Sequence, residues 1–186
     1  KVDAVTVLDG AQSVPTRPVD IQDIGCDALS FSGHKMLGPT GIGALVVRPS
    51  LLDSMGTYQT GGGMIQKVSI EESTYSCGVE RFEAGTPNAA GAVGLATACD
   101  YLSEIGMDTV AAYEAHWGKT ALEQIREIPD VQLIGPPEGH RAEGGIISLR
   151  MEGLHPHDLA VMLDARGVMC RAGHHCTMPL HEHFGG

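Results

Sequence analysis

The sequence has few basic residues and lacks any hydrophobic stretch long enough to cross a membrane. Its 12 Lys and Arg are outnumbered by 23 Asp and Glu, which gives a formal net charge of −11 with histidine neutral. Nucleic-acid binding needs a basic surface that neutralises phosphates, so this charge excludes a nucleic acid as the expected partner. A membrane-spanning helix needs about 20 consecutive apolar residues, and no such run is present. The composition, 42% hydrophobic and 19% charged, is typical of a globular protein that does not act on a membrane.

The sequence also lacks any Cys-x-x-Cys pair, and its number of cysteines is odd. The five cysteines occupy positions 26, 77, 99, 170 and 176. This pattern favours free thiols in a reducing compartment over a disulfide framework. We therefore expect a cytoplasmic protein in which one thiol is available for reaction.

Three short apolar runs in the first fifty residues predict strands of an α/β sheet. The runs are Ala4–Leu8, Ala28–Ser32 and Ile42–Arg48. Continuous apolar runs of this length are typical of strands that are buried on both faces of a sheet. Further along the chain, Asn88 is a predicted N-cap for a helix that ends near Ile105, where Gly106 follows.

The second half of the chain has a different order of elements. A second helix is predicted to begin with Asp108 as its N-cap and to end near Glu127, before Pro129. Strands are predicted at 131–135, 145–151 and 168–173, and a helix at 156–166. We therefore expect the C-terminal part of a larger α/β domain in residues 1–106 and an incomplete, smaller α+β domain in residues 107–186.

Polar clusters follow three of the predicted strands, at the position where α/β folds bind ligands. The clusters are Asp9–Gln12 (DGAQ), Ser32–Lys35 (SGHK) and Arg171–Cys176 (RAGHHC). Each has a simpler explanation. DGAQ could form a turn, Lys35 of SGHK could be an exposed loop lysine, and RAGHHC could contribute to a His/Cys metal site. The glycines of GPTGIG could serve a bend, because no Lys-Ser/Thr follows them as in a nucleotide-binding loop. However, a lysine at the end of a buried strand needs a partner or a covalent role for its amine.

The first two clusters together meet the requirements of pyridoxal 5'-phosphate (PLP). This cofactor needs a lysine for its Schiff base, a carboxylate beside its ring nitrogen, and hydrogen-bond donors around its phosphate. Lys35 and Asp9 are the candidates for the lysine and the carboxylate. Gln12 is a candidate donor to the phenolic oxygen of the ring, and Ser32 and His34 are candidate donors to the phosphate.

Five motifs in this order resemble the SufS-type (group II) cysteine desulfurases, which belong to the class V aminotransferase branch of the fold-type I PLP enzymes. The motifs are LDGAQS, FSGHKMLGPTGIGAL, GGGMI, RFEAGTPN and RAGHHCTMPLH. The resemblance implies the C-terminal part of the fold-type I large domain plus most of the smaller α+β domain. It also implies conversion of L-cysteine to L-alanine, with Lys35 carrying the proton between substrate carbons and the sulfur held as a persulfide for iron–sulfur cluster assembly.

The resemblance implies roles for residues outside the first two clusters. Cys176 would be the nucleophile that receives the sulfur, and Arg171 would position the substrate or the loop. His174 and His175 are candidates for activating the Cys176 thiol, although the orientation of both rings is open. Thr86 would reach the phosphate in the neighbouring subunit of a homodimer.

Several alternatives and one partner site remain open. His140, in GHRAEGG, would be a ligand for the zinc of a SufU-type sulfur acceptor or else an exposed loop histidine; a SufE-type acceptor is the other expected partner. The alternatives are a selenocysteine lyase, another class V aminotransferase, or a His/Cys metal-binding module at 174–183. The metal-binding module would leave DGAQ and SGHK unexplained. The chain begins at Lys1 without Met and ends in Gly-Gly. We therefore expect an internal piece of a longer protein that is inactive alone.

Overall fold

The computed structural model describes residues 3–135 and 145–184 of the chain, so His140 lies outside the described residues. The chain divides into two compact units, residues 1–108 and 109–186. The division lies close to the boundary expected near residue 106, and the correspondence of the units to a large and a small domain stays a prediction. Within the described ranges, no helix combines the length and the apolar character needed to cross a bilayer.

The first unit contains a mixed three-stranded sheet. Its strands, in order across the sheet, are β1 (Val7–Asp9), β2 (Ala28–Ser32) and β3 (Gly43–Val47). β1 runs parallel to β2, with Asp9 opposite Ser30. β2 runs antiparallel to β3, with Ser32 opposite Gly43. The carboxyl ends of β1 and β2 therefore lie at the same edge of the sheet, which we call the carboxyl edge.

The central strand of this sheet is the best buried one. Leu29 in β2 is buried, whereas Val7 in β1 is 63% exposed and Leu45 in β3 is 54% exposed. The prediction that all three apolar runs are buried strands is therefore wrong for the first and the third. The physical reason is their position: β1 and β3 are the edge strands of the described sheet and have a strand neighbour on one side only.

A buried carboxylate joins the three strands at the end opposite to the carboxyl edge. Asp27 immediately precedes β2 and is 7% exposed. Its Oδ2 accepts a hydrogen bond from the backbone N–H of Thr6 at 2.7 Å, and its Oδ1 pairs with Nη2 of Arg48 at 2.5 Å. Because both carboxylate oxygens have partners, the charge is compensated and the beginnings of β1 and β2 are held to the end of β3.

The rest of the first unit consists of short helices, a hairpin and one long helix. These elements are α1 (Ile21–Ile24), α2 (Pro49–Leu52), β4 (Ile65–Val68), β5 (Ser73–Tyr75) and α3 (Ala89–Ile105). The predicted caps of α3 are confirmed. The Asn88 side chain accepts a hydrogen bond from the Gly91 N–H at 2.9 Å, and Gly106 donates to the Leu102 carbonyl at 3.0 Å. A glycine suits this end because its φ is +86°.

The second unit contains a long helix, a hairpin and two shorter helices. Its elements are α4 (Met107–Arg126, which begins just before the division), β6 (Val131–Ile134), β7 (Ser148–Met151), α5 (Pro156–Asp164) and α6 (Met178–His183). β6 and β7 pair antiparallel, with Gln132 opposite Arg150. The Arg150 Nε donates to Oε1 of Gln132 at 2.7 Å, so side chains support this register.

Three expectations for the second unit need correction. Asp108 is not an N-cap, because α4 begins at Met107 and Asp108 lies in its first turn. A carboxylate in the first turn still stabilises the helix through its interaction with the helix dipole. The strand predicted at 145–151 begins only at Ser148, which pairs with Ile134, the last residue of β6. The strand predicted at 168–173 is absent from the described structure, and Met169 is 90% exposed. A strand requires a partner ladder, and no described strand pairs with this segment.

Candidate active site

The chain turns sharply at the carboxyl edge, directly after β1. The Asp9 Oδ1 accepts a hydrogen bond from the Ala11 N–H at 2.9 Å, and Gly10 donates its N–H to the Ser30 carbonyl at 2.7 Å. A Cβ on Gly10 would lie 2.8 Å from Cδ1 of Leu29 and 3.1 Å from the Ser30 carbonyl oxygen, so glycine suits this close approach to β2. The turn leaves Asp9 exposed at the end of its strand.

A short 3₁₀ turn, Gly33–Lys35, follows β2 at the same edge. The Ser32 Oγ and the His34 Nδ1 are 2.8 Å apart and share a hydrogen bond. His34 and Lys35 are both exposed, and Ser32 is half-buried. The 3₁₀ turn places Lys35 beyond the end of β2, so its side chain is exposed in the described chain, and its covalent link to a cofactor stays a prediction.

Gly33 lies at the centre of the loop that returns the chain to β3. Its N–H donates to the Ile42 carbonyl at 2.9 Å, and its own carbonyl accepts from Met36 at 3.0 Å and Gly38 at 2.9 Å. A Cβ on Gly33 would lie 2.9 Å from Cγ2 of Ile42 and 3.1 Å from the Pro39 carbonyl oxygen. The backbone can pack this tightly only without a side chain, so Gly33 fixes the position of the turn that carries His34 and Lys35.

The GTPN motif is attached to this loop by Asn88. Besides capping α3, the Asn88 Nδ2 donates a hydrogen bond to the Gly41 carbonyl at 3.2 Å. The Gly85 N–H donates to the Gly62 carbonyl at 2.8 Å, which joins the motif to the GGG segment. Thr86 lies between these two anchored points and is exposed. Hydrogen bonds therefore join three motifs that are distant in sequence, namely GPTGIG, GGG and GTPN, within the first unit.

The Cys176 loop in the second unit has an unusual backbone. His175 and Cys176 have φ angles of +48° and +70°, in the left-handed region that residues other than glycine seldom adopt. Thr177 closes the loop, since both its N–H, at 2.9 Å, and its Oγ1, at 2.5 Å, donate to the His174 carbonyl. The loop presents Cys176 as an exposed, free cysteine. The role of Thr177 in closing the loop was not anticipated from the sequence.

The two histidines before Cys176, within the described residues, form no hydrogen bond with its thiol. They differ in this from Ser32 and His34, which share one. The ring of His174 packs edge-on against that of His181 in α6, with 5.5 Å between ring centroids. Among the described residues, no hydrogen bond joins either histidine to the Cys176 Sγ, and Arg171 is exposed. No group of three or more His, Cys, Asp or Glu suited to a metal occurs within 3–135 and 145–184, so the metal-module alternative gains no support.

Comparison with known proteins identifies the family. The model of the class V aminotransferases matches residues 1–186, the whole chain. The chain belongs to the class V aminotransferase family. It is 49% identical over 185 residues to the cysteine desulfurase of Haloferax volcanii, a match that covers 100% of this chain and 43% of that relative. The expectation of a resemblance to cysteine desulfurases is thereby confirmed.

Solved structures agree with the α/β fold expected for this class V aminotransferase chain. The cysteine desulfurase CsdA of Escherichia coli superposes with a TM-score of 0.88 at 31% identity, over 96% of this chain and 44% of that structure. The apo cysteine desulfurase of Thermococcus onnurineus NA1 gives 0.85 at 36% identity, over 98% and 45%. The chain thus spans less than half the length of these relatives.

The residues of the carboxyl edge fit the cofactor of class V aminotransferases, which are PLP-dependent. They comprise a carboxylate, an amide, a hydroxyl, an imidazole and an amine, from Asp9, Gln12, Ser32, His34 and Lys35. All five residues belong to the first unit. All are exposed except Ser32, which is half-buried, so their polar groups are open to a bound molecule.

Proposed function

We propose that the chain is part of a PLP-dependent cysteine desulfurase that converts L-cysteine to L-alanine and keeps the sulfur as a persulfide on Cys176. The observation that supports this most is the shared carboxyl edge of β1 and β2. Because the strands are parallel, it brings Asp9 and the turn with His34 and Lys35 to one side of the sheet. The cysteine desulfurases at 31–49% identity described above support the same reaction.

In this proposal the residues of the carboxyl edge hold the cofactor. Asp9 would pair with the ring nitrogen, Gln12 would donate to the phenolic oxygen, and Lys35 would form the covalent link to the cofactor. Ser32 and His34 would donate to the phosphate, and their mutual hydrogen bond of 2.8 Å would orient both groups before binding. When bound, PLP supplies an electron sink for charge that develops on the substrate α-carbon.

The chain's own residues would move a proton and receive the sulfur. The Nζ of Lys35 takes the proton from the substrate α-carbon. The Cys176 Sγ attacks the substrate sulfur as a thiolate, which is the nucleophilic form of cysteine. The new S–S bond would form as the C–S bond breaks, and the β-carbon would keep the electron pair and take the proton that Lys35 carries. The α-carbon would regain the proton that the Cys176 thiol releases on ionisation, which completes alanine. Arg171, His174 and His175 would position the substrate or the loop.

We propose that the working enzyme is a cytoplasmic homodimer of the SufS type. Thr86 would then reach the phosphate bound by the neighbouring subunit, and its exposure in a fixed loop supports this role. Exposed apolar side chains in the same unit, such as Val79 at 61% and Val93 at 69%, are suited to a subunit interface. The sulfur would pass to an acceptor of the SufU or SufE type, for which His140 stays a candidate zinc ligand.

The decisive experiment measures alanine and sulfide released from L-cysteine by the PLP-loaded full-length protein in the presence of a reductant. Cys176→Ser is expected to keep bound PLP and to lose turnover by about three orders of magnitude, as expected when a nucleophile is removed. Cys170→Ser is the matched control, because Cys170 is also an exposed free cysteine of the second unit. Unchanged turnover by Cys176→Ser would reject Cys176 as the nucleophile.

A second experiment identifies the residue that holds the cofactor. Borohydride reduction of the PLP-loaded protein, followed by peptide mapping, is expected to label Lys35. The chain has three other lysines, at positions 1, 67 and 119. A label on any of these in place of Lys35 would overturn the assignment of the cofactor site.

A further inference from the structure

The Ser32–His34 pair at the carboxyl edge has fewer hydrogens than its proposed task requires. The Ser32 Oγ and the His34 Nδ1 lie 2.8 Å apart, which is the distance of a hydrogen bond. A serine hydroxyl has one hydrogen, and a neutral imidazole has one hydrogen on one of its two ring nitrogens. The pair therefore has two hydrogens to donate, and its mutual bond uses one of them.

The mutual bond can form in two ways, and each leaves only one donor for a bound phosphate. If Ser32 donates to Nδ1, the hydrogen of the imidazole lies on Nε2, and the hydroxyl has none left for the phosphate. If Nδ1 donates to Ser32, the hydroxyl can donate to the phosphate, but Nε2 then presents a lone pair to the phosphate oxygens. Two donors to the phosphate and the mutual bond together need three hydrogens, so the third must come from protonation of the ring.

The backbone keeps the two side chains within reach of each other. Ser32 is the last residue of β2 and lies opposite Gly43 of β3, while His34 lies in the 3₁₀ turn that follows. Gly33 stands between them, and its N–H donates to the Ile42 carbonyl at 2.9 Å. Because both side chains leave one anchored segment, we expect their mutual hydrogen bond to persist when a ligand binds.

Few charged groups surround this pair in the described part of the chain. At the carboxyl edge they are Asp9, at the end of β1, and Lys35, next to His34. The loop and strand that follow, residues 36–47, contain no titratable side chain, and neither do the first ten residues of α3, which packs against this loop through Gly94. Among the described residues, no carboxylate forms an ion pair with His34. A positive charge on His34 is therefore best compensated by a bound anion.

We propose that His34 binds the phosphate of the cofactor as an imidazolium, so that the site takes up one proton when PLP binds. In this form Nδ1 donates to the Ser32 Oγ, while the Ser32 hydroxyl and Nε2 both donate to the phosphate. Hydrogen bonds between an imidazolium and a phosphate are charge-assisted and stronger than neutral ones. The inference rests on the proposed cofactor site, and it adds to that site a dependence of cofactor retention on pH.

Nitrogen NMR of the full-length protein, labelled with ¹⁵N-histidine, reads the protonation state of the ring without any turnover. At about pH 8 an imidazole without a charged partner is neutral, and one of its nitrogens lacks a hydrogen. In the PLP-loaded wild type we expect a histidine signal with hydrogens on both nitrogens, which is lost when PLP is removed. The signal should be absent from His34→Gln and present in His116→Gln, since His116 lies on α4 and away from the proposed cofactor residues. A His34 ring with one bare nitrogen in the PLP-loaded protein would overturn the proposal.

The pH dependence of PLP affinity is a second test. His34→Gln supplies a neutral donor that does not titrate, whereas Lys35 and the phosphate titrate in both proteins. The ratio of wild-type to variant affinity therefore isolates the contribution of His34. Uptake of one proton weakens binding by up to about tenfold for each unit of rising pH, so this ratio should fall at least about tenfold between about pH 7 and pH 9. The corresponding ratio for His116→Gln should stay constant.

Ser32→Ala tests whether the shared hydrogen bond causes the protonation. Without the hydroxyl, a neutral His34 can donate from Nε2 to the phosphate, so the fall in the ratio to His34→Gln over the same pH range should shrink to less than about threefold. A constant ratio for wild type against His34→Gln, or an undiminished fall in Ser32→Ala, would overturn the inference. The proposed cofactor site would still stand in either case if borohydride labels Lys35, whereas a label on another lysine would overturn both.

Discussion

The Gly33→Ala substitution tests whether close backbone packing positions the residues of the carboxyl edge. The added Cβ would lie 2.9 Å from Cγ2 of Ile42, 3.1 Å from the Ile42 carbonyl oxygen and 3.1 Å from the Pro39 carbonyl oxygen. A side chain such as Ile42 can rotate, but the two carbonyl oxygens belong to the backbone of the loop. The loop must therefore move by a few tenths of an ångström or more to admit one methyl group.

The expected cost follows from this geometry. Insertion of a methyl group into a packed site without a cavity costs about 1–3 kcal/mol of free energy of unfolding. The strain acts on the residue that begins the turn with His34 and Lys35, so the affinity for PLP should fall as well. A displacement worth about 1.4 kcal/mol in binding weakens PLP affinity about tenfold.

Gly56→Ala is the matched control for this experiment. A Cβ on Gly56 meets nothing within 4 Å, and its φ is not in the left-handed region. The same chemical change should therefore leave stability unchanged or raise it by about 0.4–1 kcal/mol, because alanine restricts the unfolded chain. Urea unfolding followed by circular dichroism measures stability, and absorbance of bound cofactor measures PLP affinity.

Two results would contradict the role assigned to the close packing of Gly33. If Gly33→Ala and Gly56→Ala were equally stable and bound PLP equally well, the contact of Gly33 with Ile42 and Pro39 would not constrain the loop. If Gly33→Ala lost stability but kept wild-type PLP affinity, the turn would be structurally important without positioning the cofactor residues.

Three further substitutions have expected outcomes, each measured by chemical unfolding. Asp27→Asn should lower the free energy of unfolding by about 1–3 kcal/mol, because it weakens the buried contacts to Thr6 and Arg48, whereas Asp23→Asn on the exposed α1 should change little. Asn88→Ala should cost about 1 kcal/mol through loss of the α3 cap, and Asn88→Asp should restore most of it, since a carboxylate accepts the same hydrogen bond. His175→Val should cost about 1–3 kcal/mol, because a β-branched residue fits poorly at a φ of +48°, while His175→Gly should stay within about 1 kcal/mol of the wild type.

Contrary outcomes would locate the error in each case. A neutral Asp27→Asn would show that the three strands hold together without the buried carboxylate. If Asn88→Asp were as unstable as Asn88→Ala, the hydrogen bond that Asn88 donates to the Gly41 carbonyl would contribute more to stability than the cap does, because a carboxylate cannot donate it. Equal stability of the valine and glycine variants of His175 would mean that the Cys176 loop does not require its left-handed backbone.

Local sequence determined the elements whose signals lie within a few residues. The helix α3 begins after Asn88 and ends before Gly106, because an amide side chain satisfies free N–H groups at one end and glycine accepts a positive φ at the other. β2 coincides with the predicted run Ala28–Ser32. The carboxyl edge was also predictable in outline, since two polar clusters follow two apolar runs and a parallel pair brings their ends together.

Tertiary structure alone decided features that depend on residues far apart in the chain. The contacts of Asp27 with Thr6 and Arg48, and of Gly33 with Ile42, join segments whose pairing no local pattern encodes. The segment 168–173 has the composition of a strand yet forms none, because a strand exists only with a hydrogen-bonding neighbour. The Glu114 Oε2 is buried close to Gly145 for the same reason, because the packing of segments that are distant in sequence determines which groups meet.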